Sequence, residues 1–198
     1  MTRLVGRGWT TWRRAAIAAV TMSILAAGAA SAQSGVVSRE EALSEVFPGA
    51  AIDADRVYLT DAQADRIADL ARGDLVTKII ARYVATEGGA VVGRAYVDTH
   101  VVRTKRASLL ISLEADGRVR RIDVTAFLEP PEYIPSERWR NQYLEKPLDD
   151  DLAIQRAIRP IAGATLTTRS VNEAVRRILA LDRVLQAGSG AGSGEAAP

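Results

Sequence analysis

Residues 108–127 read SLLISLEADGRVRRIDVTAF, and the punctuation inside this stretch decides the fold. Ser108 to Glu114 and Arg118 to Phe127 are apolar and β-branched at short period, and Ala115-Asp116-Gly117 lies between them. Asp-Gly tolerates positive φ, so the three residues form a turn and the two runs pair as a hairpin. Arg118, Arg120 and Asp123 sit among Val119, Ile122, Val124 and Phe127, the pattern of an antiparallel sheet with one wet face.

The same short-period pattern recurs upstream as LVTKIIARYVAT from Leu75 and AVVGRAYVDTHVVRT from Ala90, joined at Gly88-Gly89. A second hairpin is expected there. Before it, Ser38-Arg39-Glu40-Glu41 has capping-box spacing and opens a short helix through Val46, which stops at Pro48-Gly49. Thr60-Asp61-Ala62-Gln63 opens another, with Ala64, Ile67, Ala68 and Ala71 at helical intervals up to Gly73. The fold class is therefore α+β, with a largely antiparallel sheet of two hairpins and flanking helices.

Beyond the sheet, Glu129-Pro130-Pro131-Glu132-Tyr133-Ile134-Pro135 is an ordered loop, since three prolines remove donors and restrict the residues before them. Ser136 caps a short helix that places Trp139 and Tyr143 four residues apart on one surface. Leu148 to Ile158 is expected to form another, begun by the acid run Asp149-Asp150-Asp151. Ser170-x-x-Glu173 is a third capping box, leading into VRRILALDRVL as the C-terminal helix.

The ends carry different information. Residues 1–32 hold Arg3, Arg7, Arg13 and Arg14 without an acid, then an uncharged stretch closing on Ala30-Ser31-Ala32. That is the layout of a cleaved export signal, with cleavage after Ala32 and a periplasmic destination; the alternative, a retained anchor, has only a short, alanine-rich span to work with. Residues 187–198, AGSGAGSGEAAP, read as a flexible tail, which leaves 33–186 as one domain. Without the leader, 22 basic residues face 24 acids, a net of −2. Such a chain lacks the basic surplus of a nucleic-acid binder. The absence of cysteine excludes haem attachment through C-x-x-C-H, iron–sulfur ligation and cysteine-based zinc sites; His100 is the only histidine, and no metal is expected. Redox chemistry would need an organic cofactor.

Arg159-Pro160-Ile161-Ala162-Gly163-Ala164-Thr165-Leu166-Thr167-Thr168 precedes the last helix. Small and hydroxyl side chains at a helix mouth permit close approach of an anion such as phosphate to free amides, and they equally serve as simple caps. Gly163-Ala164-Thr165-Leu166-Thr167 and the Val-rich helix after it resemble the Ser/Thr-Gly-Ala-Thr motif of the periplasmic FMN-binding domain family. That family includes the G subunit of the Rnf electron-transport complex and the C subunit of sodium-pumping NADH:quinone oxidoreductase. Val92-Gly93-Arg94-Ala95-Tyr96 looks like the family's strand after its glycine turn, and Glu129-Pro130-Pro131 with Trp139 and Tyr143 looks like its Glu-Thr-Pro loop and following aromatics. The likeness spans about Tyr83 to Leu185. Arg159, Ala162 and Phe127 stand where the family usually has Asp, Ser or Thr, and His.

The resemblance implies an exported FMN-carrying electron-transfer protein, a redox carrier more than a stand-alone enzyme, with a flavin-attachment loop before the C-terminal helix. A flavin transferase would esterify the FMN phosphate to Thr165; non-covalent FMN, with Arg159 near the phosphate, is the alternative form. Gly163, Ala164, Leu166, Thr167, Thr168 and Glu129 would surround the cofactor, with Tyr133, Trp139 or Tyr143 available to stack on it. A membrane electron-transfer protein is the expected partner. The competing expectation is a cofactor-free periplasmic binding or inhibitor module of the PepSY type.

Overall fold

The computed structural model describes residues 35–191; the expected leader and the last residues of the expected tail lie outside the described residues. The elements are α1 (Arg39–Val46), β1 (Ala51–Tyr58), α2 (Asp61–Ala71), β2 (Ile79–Glu87), β3 (Ala90–Val101), β4 (Arg106–Glu114), β5 (Val119–Phe127), α3 (Glu137–Arg140) and α4 (Thr165–Ala191). Short 3₁₀ turns occupy Pro131–Tyr133 and Asn141–Tyr143. The fold is α+β, a five-stranded antiparallel sheet in the order β1-β2-β3-β4-β5 with flanking helices and a C-terminal helix. Among the described residues no helix is long and apolar enough to cross a membrane.

Both expected hairpins form, at Gly88-Gly89 and at Ala115–Gly117. Strand β1 adds a fifth member that periodicity does not announce. AIDADRVY has no apolar alternation because β1 is an edge strand exposed along nearly its whole length, so packing imposes no pattern on it. Asp53, Asp55 and Arg56 on that edge discourage pairing with another chain.

The expectation of a wet face is corrected at the centre of the sheet. Ile111, Leu113, Ile122 and Val124 pack beneath α2 and α4. Leu110, Ala85 and Ala95 on the opposite face pack against Ala42, Leu43, Val46 and Phe47 of α1 and its end. A short helix thus closes the second face over the middle strands.

Three helical expectations also change. The segment 148–158 forms turns and an isolated Ile154–Ile158 bridge instead of a helix. Asp149 Oδ1 accepts the amides of Asp151 and Leu152, while the Asp149 and Leu152 carbonyls accept from the Arg176 guanidinium on α4. Carbonyls drawn to α4 are not available for helical bonds. Helix α4 begins at Thr165, so Ser170 lies inside it and donates to the Thr167 carbonyl instead of capping the helix with Glu173. The helix also continues to Ala191, past the expected boundary at Gln186. Thr60 and Gln63 do form the reciprocal capping box expected of α2.

Gly93 fixes how closely α1 approaches. A Cβ there would lie 2.4 Å from Phe47 Cε1 and 2.6 Å from the Leu113 carbonyl oxygen, and the latter cannot swing away. Gly93→Ala should lower unfolding free energy by about 1–3 kcal/mol, measured by urea denaturation, with Gly73→Ala as a comparison in open space.

Candidate functional site

On β3, the alternate residues Arg94, Tyr96, Asp98 and His100 share one face and are all buried. Arg94 donates to both carboxylate oxygens of Asp182 on α4, and the Tyr96 hydroxyl donates to Asp182 at 2.7 Å. Two strand positions on, Arg177 donates twice to Asp98, each at 3.0 Å, and Asp98 also accepts from His100 Nδ1 at 2.7 Å. Asp182 therefore meets the early part of β3 and Arg177 a later part. Helix α4 runs against the strand direction, and its first turn rises toward the end of the sheet where β3 turns into β4.

Burial would raise the pKa of Asp98, but the hydrogen bonds from His100 and Arg177 and the Arg177 charge outweigh it and hold the carboxyl below its ordinary value. Burial first, and then the Asp182 charge, push the Tyr96 phenol up, so it stays a neutral donor. His100 Nε2 is buried and has no partner among the described residues.

The chain reaches the mouth of α4 through a clamped loop. Trp139 Nε1 donates to the Arg159 carbonyl at 2.7 Å, and the Arg159 amide donates to Gln142 Oε1 at 2.9 Å. Trp139 and Tyr143 meet edge to face at 5.6 Å, and the Tyr143 hydroxyl reaches Asn172 Oδ1. Gly163 then takes φ +77°, a left-handed turn that glycine adopts without strain. Thr168 Oγ1 accepts the Ile161 amide and donates to the Ala164 carbonyl, which ties the loop to the first helical turn.

These contacts bring Gly163, Ala164, Thr165, Leu166, Thr167 and Thr168 together at one helix N-terminus. Thr165 is the exposed first residue of α4, and Leu166 beside it is exposed as well. The first helical bond runs from the Thr168 amide to the Ala164 carbonyl, so the amides of Thr165, Leu166 and Thr167 remain at the mouth. The Thr168 hydroxyl is committed to the clamp. Glu129 is engaged elsewhere: its Oε1 accepts the amides of Thr104 at 2.7 Å, Lys105 at 2.8 Å and Arg103 at 3.3 Å. Those amides, Thr104 and Lys105 foremost, lower its pKa. Tyr143 is fully buried and cannot stack on a ligand, whereas Tyr133 is exposed.

The ion pairs beneath α4 and the Trp139–Gln142 clamp escape sequence reasoning. Their trace is the alternation of Arg94, Tyr96, Asp98 and His100, which reads as a solvated face until a helix bearing Arg177 and Asp182 covers it. A cavity of about 440 Å³ lies apart from the mouth, between the β5 edge and α3, lined by Arg121, Asp123, Glu137 and Arg140 among others. Among the described residues no cluster could hold a metal ion. No protein-family model matches the chain, and no curated protein matches it.

Asp98→Asn leaves Arg177 buried without its charge partner and should cost about 3–5 kcal/mol. Because the folded-state pKa of Asp98 lies below the unfolded value of about 3.9, the stabilisation is present above that pH and is lost as pH falls through the folded value. Urea midpoints from pH 7 downward should therefore fall more steeply in the parent than in Asp98→Asn. Trp139→Phe keeps the edge contact but removes a donor, and should lower stability by about 1 kcal/mol in the same assay.

Proposed function

We propose that this chain is an exported, periplasmic flavin carrier that holds FMN through a phosphoester to Thr165. The observation that carries the reading is the position of Thr165: an exposed hydroxyl on the first residue of a long helix, after a positive-φ glycine and a buried alanine, beside open amides. A phosphate there gains amide hydrogen bonds and the helix N-terminal field, a contribution of about 0.3–1 kcal/mol for the field alone.

The residues fit the group. Thr165 and Leu166 are open to solvent, and the exposed Arg159 and Arg169 supply positive charge near the mouth on either side of Thr165 in sequence. FMN, when bound, supplies one- or two-electron transfer, and the chain supplies attachment, orientation and field. Attachment suits the geometry, because Thr165 and Leu166 lie on the open surface and the 440 Å³ cavity beside α3 is lined by other residues. A surface-held flavin without a deep pocket keeps its place through a covalent bond. Trp139, Gln142 and Thr168 hold the loop so that the acceptor hydroxyl stays presented to a flavin transferase, and a membrane electron-transfer protein would exchange electrons with the exposed carrier.

The test is the visible spectrum of the full chain co-expressed with a flavin transferase, before and after denaturing gel filtration. Absorbance that travels with the unfolded chain and disappears in Thr165→Ala is the expected result. Flavin released on denaturation would show non-covalent binding, and a colourless chain would overturn the flavin reading.

A further inference from the structure

The turn between β3 and β4 is a braced, basic hairpin end with apolar flanks. Val101 pairs with Arg106 across its base, the Val102 amide donates to the Lys105 carbonyl at 3.1 Å, and the Leu128 amide donates to the Arg106 carbonyl at 3.0 Å. Glu129 Oε1 gathers the amides of Arg103, Thr104 and Lys105 from within. A turn with three successive amides bound to one carboxylate holds a fixed shape.

Its side chains are unspent. Arg103, Lys105 and Arg106 are exposed, and none forms an ion pair among the described residues, so three unpaired cations lie within four residues of one turn, whereas the exposed Lys78 and Arg118 have carboxylate partners. Val101 is 57 % and Leu128 63 % exposed on either side of Arg106. The nearest acids in sequence, Asp98 and Glu114, are paired with Arg177 and Arg120, and Glu129 is already bound to the turn.

We propose that this tip docks the protein on an anionic phospholipid surface. Free cations of one sign beside exposed aliphatic side chains match a headgroup layer, with phosphates for Arg103, Lys105 and Arg106 and an apolar boundary for Val101 and Leu128. The mature chain's net of −2 makes the concentration of unpaired positive charge at one turn a local feature and not a consequence of overall charge. The inference is independent of the flavin.

Co-sedimentation of the full chain with vesicles tests it. Vesicles of phosphatidylcholine alone are compared with an equimolar phosphatidylcholine–phosphatidylglycerol mixture. Binding should be stronger to the anionic vesicles and weaken with added salt. Arg103→Gln combined with Lys105→Gln should reduce anionic-vesicle affinity about 25-fold, at roughly fivefold per cation, and Leu128→Asn should reduce it further. Arg56→Gln with Arg66→Gln, on β1 and α2, removes the same charge elsewhere and should change affinity little; circular dichroism checks that each variant is folded. Equal binding to both vesicle types, or equal losses in the two charge-matched pairs, would overturn the proposal. So would tip-dependent binding to polyglutamate with none to lipid, which would assign the tip to an acidic protein.

Discussion

Two buried arginine–carboxylate pairs, Arg94 with Asp182 and Arg177 with Asp98, set the position of α4 on the sheet, and the candidate site follows from that position. Hydrophobic contact alone would let a helix slide or rotate by a residue at small cost, because Val171, Val175, Ile178 and Leu179 present similar surfaces. An ion pair in the interior does not permit such slippage. A shift of one turn would leave charged groups buried without partners, which costs far more than a misplaced methyl group. Tyr96 and His100 occupy the remaining acceptor positions on these carboxylates, so each pair is part of a larger hydrogen-bonded set.

From that anchor the first turn of α4 is carried to the β3–β4 end of the sheet. Trp139 and Gln142 then fix Arg159 from outside, and Thr168 fixes Ile161 and Ala164 from within. The mouth residues consequently have defined positions although Thr165 and Leu166 face solvent. At the same end, Glu129 stiffens the β3–β4 turn, so exposed chemistry sits on ordered backbone in both places.

Much of this fold was legible in the sequence. Asp116-Gly117 and Gly88-Gly89 mark hairpins because their turns demand positive φ, and Thr60 with Gln63 marks a helix start because both side chains cap backbone donors. What escaped was whatever depended on partners distant in the chain. Strand β1 has no burial pattern of its own, and Asp149-Asp150-Asp151 looks like a helix start only until Arg176 claims the nearby carbonyls. Ser170-x-x-Glu173 has the spacing of a cap but lies inside a helix that Gly163 and Ala164 have already begun. The Gly163–Thr168 cluster was legible because its residues are contiguous, while the different engagement of Glu129 was hidden in its long-range partners.

The most direct measurement is tandem mass spectrometry of a tryptic digest of the full chain exported beside a flavin transferase. Trypsin does not cut before Pro160, so Ala157 to Arg169 emerges as one peptide that contains Thr165, Thr167 and Thr168. The account predicts an FMN increment on this peptide, with fragment ions placing it on Thr165. Recovery of the peptide wholly unmodified, or an increment placed on Thr167 or Thr168, would contradict it.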